Sequence, residues 1–253
     1  MRGLLRWIVL VLLAALSLQL FFVVRIGMMA VIDPQSSSFQ RSEVWRIATE
    51  QHRLRWRQQW IPYSKISDNL KRAVIASEDG SFTNHDGVDW EALDKAWQRN
   101  SRAEEQALRR GPQQPSRRGA SRASPPAARQ PKVVGGSTIT QQLAKNLLLS
   151  GERTLLRKGQ EFVLTFLLER MLNKERILEL YLNSVEWGEG VFGAEAAAQN
   201  YFRVGANGLG AMQAAQLAVM LPAPKRFEKR PGSAYVVGRA GTVSARMGAV
   251  EVP

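Results

Sequence analysis

From Trp7 to Val24 the chain runs for 18 residues without a charge, broken only by the polar side chains of Ser17 and Gln19. A stretch of that length crosses the hydrocarbon core of a bilayer as one helix, and few other structures can use it. Arg25 closes the run, and the apolar residues from Ile26 to Ile32 are followed by no A-x-A cleavage site. A retained anchor over 7–28, rather than a removed signal peptide, is the expectation. Arg2, Arg6 and the terminal amine precede the run, whereas Arg25 after it is opposed by Asp33. The positive-inside bias then leaves residues 1–6 in the cytoplasm and everything beyond about residue 33 on the other side, where neither nucleic acid nor ATP is a ready partner.

The 253 residues carry 35 Lys+Arg against 22 Asp+Glu, a formal charge of +13. Much of that excess lies between Asn100 and Lys132, where eight basic residues meet two acids, five prolines and no aromatic side chain. Such a segment buries too little to fold, so 100–132 is expected to be a disordered insertion, and the basic pI is not a nucleic-acid signature. With no cysteine, disulfide scaffolds, thiolate metal sites and Cys nucleophiles are excluded. Two histidines, His52 and His85, do not make a multi-histidine zinc centre.

Residues 29–60 form a polar, aromatic membrane-proximal segment with Trp45, Trp56 and Trp60. Ser67 or Asp68 can then cap a helix in which Leu70, Ala73, Val74 and Ala76 recur at helical spacing, delivering Glu78 at its far end. Further helical faces follow: Ile139, Leu143 and Leu147; Phe162, Val163, Phe166 and Leu167; Ile177, Leu178, Tyr181 and Leu182; then Ala194 to Ala198 and Leu209 to Leu221, which Pro222 and Pro224 stop. No convincing strand run appears. The expectation is a mostly α domain over 61–235, followed by a C-terminal segment over 236–253.

Three stretches could carry chemistry. Glu78 and Asp79 stand where a helix gives way to a Gly-bounded loop, Gly80-Ser81-Phe82-Thr83-Asn84-His85-Asp86-Gly87. A carboxylate beside an apolar residue such as Phe82 can serve as a general base near neutral pH, although the same residues also read as a helix-end loop with solvated acids. His85 reads as a hydrogen-bonding residue that fixes the loop. Gly135 and Gly136 hinge into Ser137 and Thr138, which with Gln141 offers a capping box, and the helix so started carries Gln142, Lys145 and Asn146 as long polar groups. Arg153, Arg157 and Lys158 precede Glu161, which stands four residues from Arg157. They form either a surface ion pair or a cationic clamp for phosphate with a second carboxylate alongside.

Taken in order, Glu78-Asp79-x-x-Phe82-x-x-His85-x-Gly87, Gly136-Ser137-Thr138-Ile139-Thr140-Gln141-Gln142-Leu143-x-Lys145-Asn146, Arg157-Lys158-x-x-Glu161 and Lys174-x-x-Ile177-Leu178-Glu179-x-Tyr181-Leu182-Asn183 resemble four signature motifs of the peptidoglycan glycosyltransferases of family fifty-one. The resemblance covers about residues 60–99 and 133–230. It implies a lysozyme-like helical glycosyltransferase domain with a smaller membrane-proximal lobe, preceded by one transmembrane helix. It also implies polymerisation of lipid II into β-1,4-linked glycan strands with inversion and release of lipid pyrophosphate. By residue, Glu78 matches the general base and Glu161 the second carboxylate. Lys145, Arg153, Arg157 and Lys158 match groups near the diphosphate, while Asp79, Phe82, Ser137, Thr138, Gln142 and Asn146 match substrate-binding positions. Glu179 and Asn183 match fold-holding positions.

No cofactor is required by the resemblance, and a divalent cation, magnesium or manganese, can assist at the donor diphosphate. The implied partners are lipid II, the growing strand, the bacterial inner membrane on its periplasmic side, and penicillin-binding transpeptidases or division proteins. No S-x-x-K or K-T-G occurs, so the transpeptidase half of bifunctional relatives is missing from this sequence. The family's Arg-Arg motif is poorly matched around Arg239 to Arg246. The competing functions are a lytic transglycosylase or muramidase, which has no pyrophosphate to neutralise, and an inactive scaffold for cell-wall synthases, which has no need of both Glu78 and Glu161.

Overall fold

The computed structural model describes residues 2–51, 56–110, 136–149 and 154–253, without the side chains of 51 and 107–110. The chain is mainly helical: α1 (Arg2–Met29), α2 (Ser38–Gln51), α3 (Asp68–Glu78), α4 (Trp90–Arg110), α5 (Ile139–Leu148), α6 (Leu155–Met171), α7 (Lys174–Ser184), α8 (Ala194–Phe202), α9 (Ala211–Met220), α10 (Pro224–Phe227) and α11 (Ala234–Arg246). It divides into two compact units, one of residues 1–88 and 138–253, the other of residues 89–137.

Helix starts are written into the sequence as caps. Ser67 accepts from the Asn69 amide at 3.2 Å, Thr154 from Arg157 at 3.2 Å and Asn173 from Arg176 at 2.8 Å. At α5 the box is complete: the Thr138 hydroxyl accepts from Gln141 N, and Gln141 Oε1 accepts from Thr138 N at 3.1 Å. Each such cap is worth about 1 kcal/mol. Between caps, the apolar stripes face inward. Leu70, Ala73 and Val74 of α3 are buried where it packs on α9 and α11, and Ile139, Leu143 and Leu147 are buried where α5 meets α6 and α7. Cutting any of these leucines to alanine would cost about 2–5 kcal/mol. Asn183, fully buried, spans from α7 to Ile61, accepting from its amide and donating to its carbonyl, while Glu179 pairs with Arg176. Both hold the fold.

Three features differ from the sequence reading. The helix α4 continues through Arg110, so residues 100–110 of the expected disordered insertion are helical, and the part from 111 to 132 lies outside the described residues. The run Ser101-Arg102-Ala103-Glu104-Glu105-Gln106-Ala107-Leu108 is rich in residues of high helix propensity, which need no burial to favour a helix. The boundary expected at 235 falls inside α11, whose Val236, Ala240 and Val243 enter the core. Tyr63 Oη donates to Pro253 O at 2.7 Å and Arg72 to Val250 O at 3.1 Å, tying the terminus to the domain. Finally, β1 (Arg57–Gln58), β2 (Glu186–Gly188) and β3 (Val191–Phe192) form a small sheet in the order β1-β3-β2, with β1 parallel and β2 antiparallel to β3.

That sheet carries a strained charge. Glu186 is buried and its Oε1 lacks a hydrogen bond, with Lys225 Nζ 3.8 Å away. Lys225 is taken by Glu43, which also binds Arg46, and Arg46 reaches Glu189 at 2.7 Å. Burial pushes the Glu186 carboxyl up to about 7, Lys225 opposes the shift, and the charges of Glu43 and Glu228 reinforce it.

Helix α1 is long and apolar enough to cross a membrane, and most of it is exposed. Its last turns are different: Phe22, Ile26 and Met29 are buried in the domain core.

Candidate active site

Glu78 is the last residue of α3, and the chain turns at Asp79 into the loop that ends at Gly87. The two adjacent carboxylates part company there. Asp79 Oδ2 accepts from the Ile139 amide, the first of α5, at 3.0 Å, and Oδ1 lies 2.8 Å from His85 Nε2. His85 Nδ1 accepts from Gly87 N at 3.2 Å, which leaves the ring proton on Nε2 to be donated to Asp79. Asp79 therefore joins the loop to the positive end of α5. Thr138 Oγ1 donates to Gly87 O at 2.6 Å, and Lys174 Nζ donates to His85 O at 2.6 Å while lying 4.6 Å over the Phe82 ring.

Glu78 points elsewhere. Its Oε2 accepts from Gln142 Nε2 at 3.0 Å, and Gln142 Oε1 accepts from Tyr181 Oη at 3.0 Å. Tyr181 is 1% exposed, so a buried hydroxyl on α7 fixes the amide that fixes the carboxylate. Burial raises the affinity of Glu78 for a proton; the Gln142 hydrogen bond opposes this, the negative charge of Asp79 adds to it, and Ser77 and the Lys145 ammonium oppose it. Burial, reinforced by the negative charges of Glu78 and Asp79, holds the Tyr181 phenol well above its ordinary range. A half-buried carboxylate with raised proton affinity, aimed by a fixed amide and near a cation, is suited to general-base work.

On α6, Glu161 is 3% exposed, with Arg157 Nη1 donating to Oε2 at 3.0 Å and Lys158 Nζ bonded to Oε1. Arg157 Nε is buried without a partner. Two cations thus converge on one acid from successive positions of the helix, leaving an excess of positive charge beside it.

The structure sorts the candidates named from sequence. Glu78, Gln142 and Lys145 gather at one point, and Arg157, Lys158 and Glu161 at another on α6, which packs against α5. Asn146 is partly exposed on α5 and Ser137 is exposed just before the cap. Arg153 lies outside the described residues. Asp79, Phe82 and Thr138 were expected to touch substrate and do not reach a surface: Phe82 is fully buried, Thr138 is 3% exposed, and both oxygens of Asp79 are engaged internally. They position the loop instead. Tyr181 is the residue that sequence reasoning left among the apolar positions of α7; a lone hydroxyl within that stripe was the available signal. A divalent cation finds no donor set of its own among the described residues: no three potential ligands gather, and both oxygens of Glu161 are occupied by side-chain cations.

Along most of its length the chain is similar to known proteins. The sequence model of the family described as Transglycosylase matches residues 46–112 and 116–248. A biosynthetic peptidoglycan transglycosylase of Burkholderia thailandensis is 49% identical over 240 residues, which is 95% of this chain and 84% of that protein. Proteins of the same description are 47% identical in Burkholderia pseudomallei, over all of this chain and 90% of the relative, and 47% identical in Herminiimonas arsenicoxydans, over all of this chain and 99% of the relative. The motifs, the helical fold that brings them together and these matches lead to one conclusion: the chain belongs to the transglycosylase family.

Proposed function

We propose that the chain is a peptidoglycan glycosyltransferase that joins lipid-linked disaccharides into β-1,4 glycan strands on the outer face of the bacterial inner membrane. The observation that carries this reading is Glu78: a half-buried carboxylate of raised proton affinity, oriented by Gln142 and Tyr181. In the reaction the 4-hydroxyl of lipid II attacks the anomeric carbon of the growing strand. A carbon–oxygen bond forms there as the bond to the lipid pyrophosphate breaks, with inversion, and the hydroxyl proton passes to Glu78. The developing negative charge on the pyrophosphate falls to Lys145, Arg157 and Lys158. Glu161 holds Arg157 and Lys158 in place.

The charge distribution around α1 supports the topology, with Arg2 and Arg6 on the cytoplasmic side. Transpeptidases that cross-link the strands are the proposed partner proteins. A glycan-cleaving reaction is not favoured, because it has no pyrophosphate for the cations to meet. The test is the purified full chain incubated with labelled lipid II, beside Glu78→Gln. Polymer from the unchanged chain alone is the expected result. Equal polymer from both moves the base elsewhere, and digestion of finished glycan by the unchanged chain would favour the cleaving reaction.

A further inference from the structure

The small sheet carries a hollow surface that the proposed reaction does not use. Two cavities of about 580 and 290 Å³ adjoin there within the larger unit, and Arg57 of β1 lines both. The first is also lined by Trp56, Asn200 and Glu228, the second by Gln58, Gln59 and Gln199. None of these residues belongs to the cluster around Glu78 or the one around Glu161.

The walls are built in advance. The Trp56 indole rests on the fully buried Phe192 of β3, with 4.8 Å between ring centroids and 36° between planes. The Arg57 amide donates to Gly190 O at 2.8 Å, and Arg57 Nη1 donates to Asn200 Oδ1 at 3.1 Å. Glu228 Oε2 accepts from Glu189 N at 2.8 Å, and Gly188 beside it leaves no room for a side chain: a Cβ would stand 2.5 Å from Tyr201 Oη and 2.8 Å from Glu228 Oε2. Gln199 Nε2 donates to Glu195 Oε1 at 2.6 Å, which leaves its own Oε1 to accept.

The chemistry of the lining narrows what can occupy it. Side-chain amides of Gln58, Gln59, Gln199 and Asn200 stand along one groove. Each amide offers donors and an acceptor at fixed spacing, a match for neighbouring hydroxyls and for acetamido groups. The indole offers a broad apolar face of negative potential on which the C–H face of a sugar ring can lie. Charge argues the same way: in a chain of +13, the first cavity sets one arginine against Glu189 and Glu228, so it does not collect phosphate. That removes lipid headgroups, pyrophosphate and nucleic acid, and leaves a neutral polyhydroxylic chain.

We propose that this groove is a second glycan site, which holds the sugar backbone of a β-1,4-linked strand outside the catalytic centre. Trp56 stacks on a sugar ring, and the amides read its hydroxyl and acetamido groups. That the strand is the enzyme's own product rests on the function proposed above. A strand held in the groove stays with the enzyme between additions, so the site lengthens the polymer without touching the reacting atoms.

The probe is a β-1,4-linked N-acetylglucosamine hexamer, titrated by calorimetry into the full chain in detergent. The unchanged chain and Glu78→Gln should bind it alike, and inorganic pyrophosphate should not displace it. Trp56→Ala should weaken binding about tenfold, and Gln59→Ala, at an exposed position outside the core, about threefold. With labelled lipid II, both groove variants should give shorter strands than the unchanged chain at equal lipid II consumed. No binding by the unchanged chain, binding that survives both groove substitutions, binding lost in Glu78→Gln or displaced by pyrophosphate, or strands of unchanged length would overturn the proposal. Hexamer binding that weakens in the groove variants, with no polymer from the unchanged chain, would instead refute the function proposed above and leave the groove as a glycan site.

Discussion

Replacing Gln142 with methionine keeps the length of the side chain and removes one donor from the Glu78 carboxylate, the Nε2 hydrogen bond of 3.0 Å. Burial and the charge of Asp79 favour the protonated form of Glu78, while Gln142, Ser77 and Lys145 oppose it, so deleting one opponent raises proton affinity further. A hydrogen bond to a charged group contributes about 1.5–3 kcal/mol, and the lower end applies at this partly exposed position. With about 1.4 kcal/mol per factor of ten, the fraction of Glu78 ionised at a fixed pH on the acid limb should drop roughly tenfold. A general base acts only when ionised, so kcat/KM should fall by that factor at acidic pH and much less on the alkaline plateau, moving the limb to higher pH.

The same substitution leaves the Tyr181 hydroxyl without its acceptor in a position that is 1% exposed. That costs about 1–3 kcal/mol, and for a chain of this size each kcal/mol lowers Tm by roughly 2–4 °C. Adding Tyr181→Phe should recover much of the lost Tm without restoring the limb, separating the orphaned hydroxyl from the missing donor. The assay is kcat/KM for labelled lipid II across pH, with thermal unfolding alongside. A limb that stays in place, or moves to lower pH, would refute the reasoning.

Glu78→Gln should reduce polymer formation by about 10²- to 10⁴-fold, the range for loss of a general base, and should raise Tm at neutral pH but not at acidic pH, because a carboxylate whose proton affinity is raised by folding destabilises the fold when it ionises. A Tm gain that persists in acid would contradict this. Lys145→Met should slow turnover by about 10- to 100-fold with an unchanged circular dichroism spectrum, as expected for one charge-assisted contact to phosphate; wild-type rates would return Lys145 to the solvated surface. Glu186 titrates at about 7 in the folded chain against 4.5 as its ordinary value, so the stability it contributes is present below the lower value and is lost as pH rises through the upper one, by at most about 3 kcal/mol. Chemical unfolding of Glu186→Gln should show the loss abolished; a variant that weakens with rising pH as the wild type does would assign the decline to another group.

The helices were legible because their starts and faces are local. Ser67, Thr138 and Asn173 cap, and the residues after them alternate on a helical period that survives in the folded core. The sheet was not, since strands of two or three residues have no alternation to read. The early part of the 100–132 stretch is helical without a face to bury, because the alanine, glutamate and glutamine there favour a helix on their own. At the site, the sequence placed Glu78 at a helix end and Gln142 and Lys145 on the next helix. It could not say which of two neighbouring acids faces outward, and Asp79 turned inward because the first amide of α5 offered it a partner. Tyr181 was hidden by its own periodicity: a position that packs like a leucine shows nothing of where its hydroxyl ends.

Gly87 sets a dimension. Its backbone has φ of +85°, and a Cβ there would stand 2.7 Å from Thr165 Cγ2 and 2.8 Å from Glu169 Cγ. Thr165 Oγ1 in turn donates to the Glu161 carbonyl at 2.7 Å, one turn up the same helix. The loop that begins at Glu78 and the helix that carries Glu161 therefore meet where the bare backbone of Gly87 lies against the Thr165 and Glu169 side chains. Any side chain placed at Gly87 would have to push that helix away, so the glycine sets the closest approach of the two. The separation of the two acids is, in the machinist's sense, a fixed tolerance rather than an adjustable one.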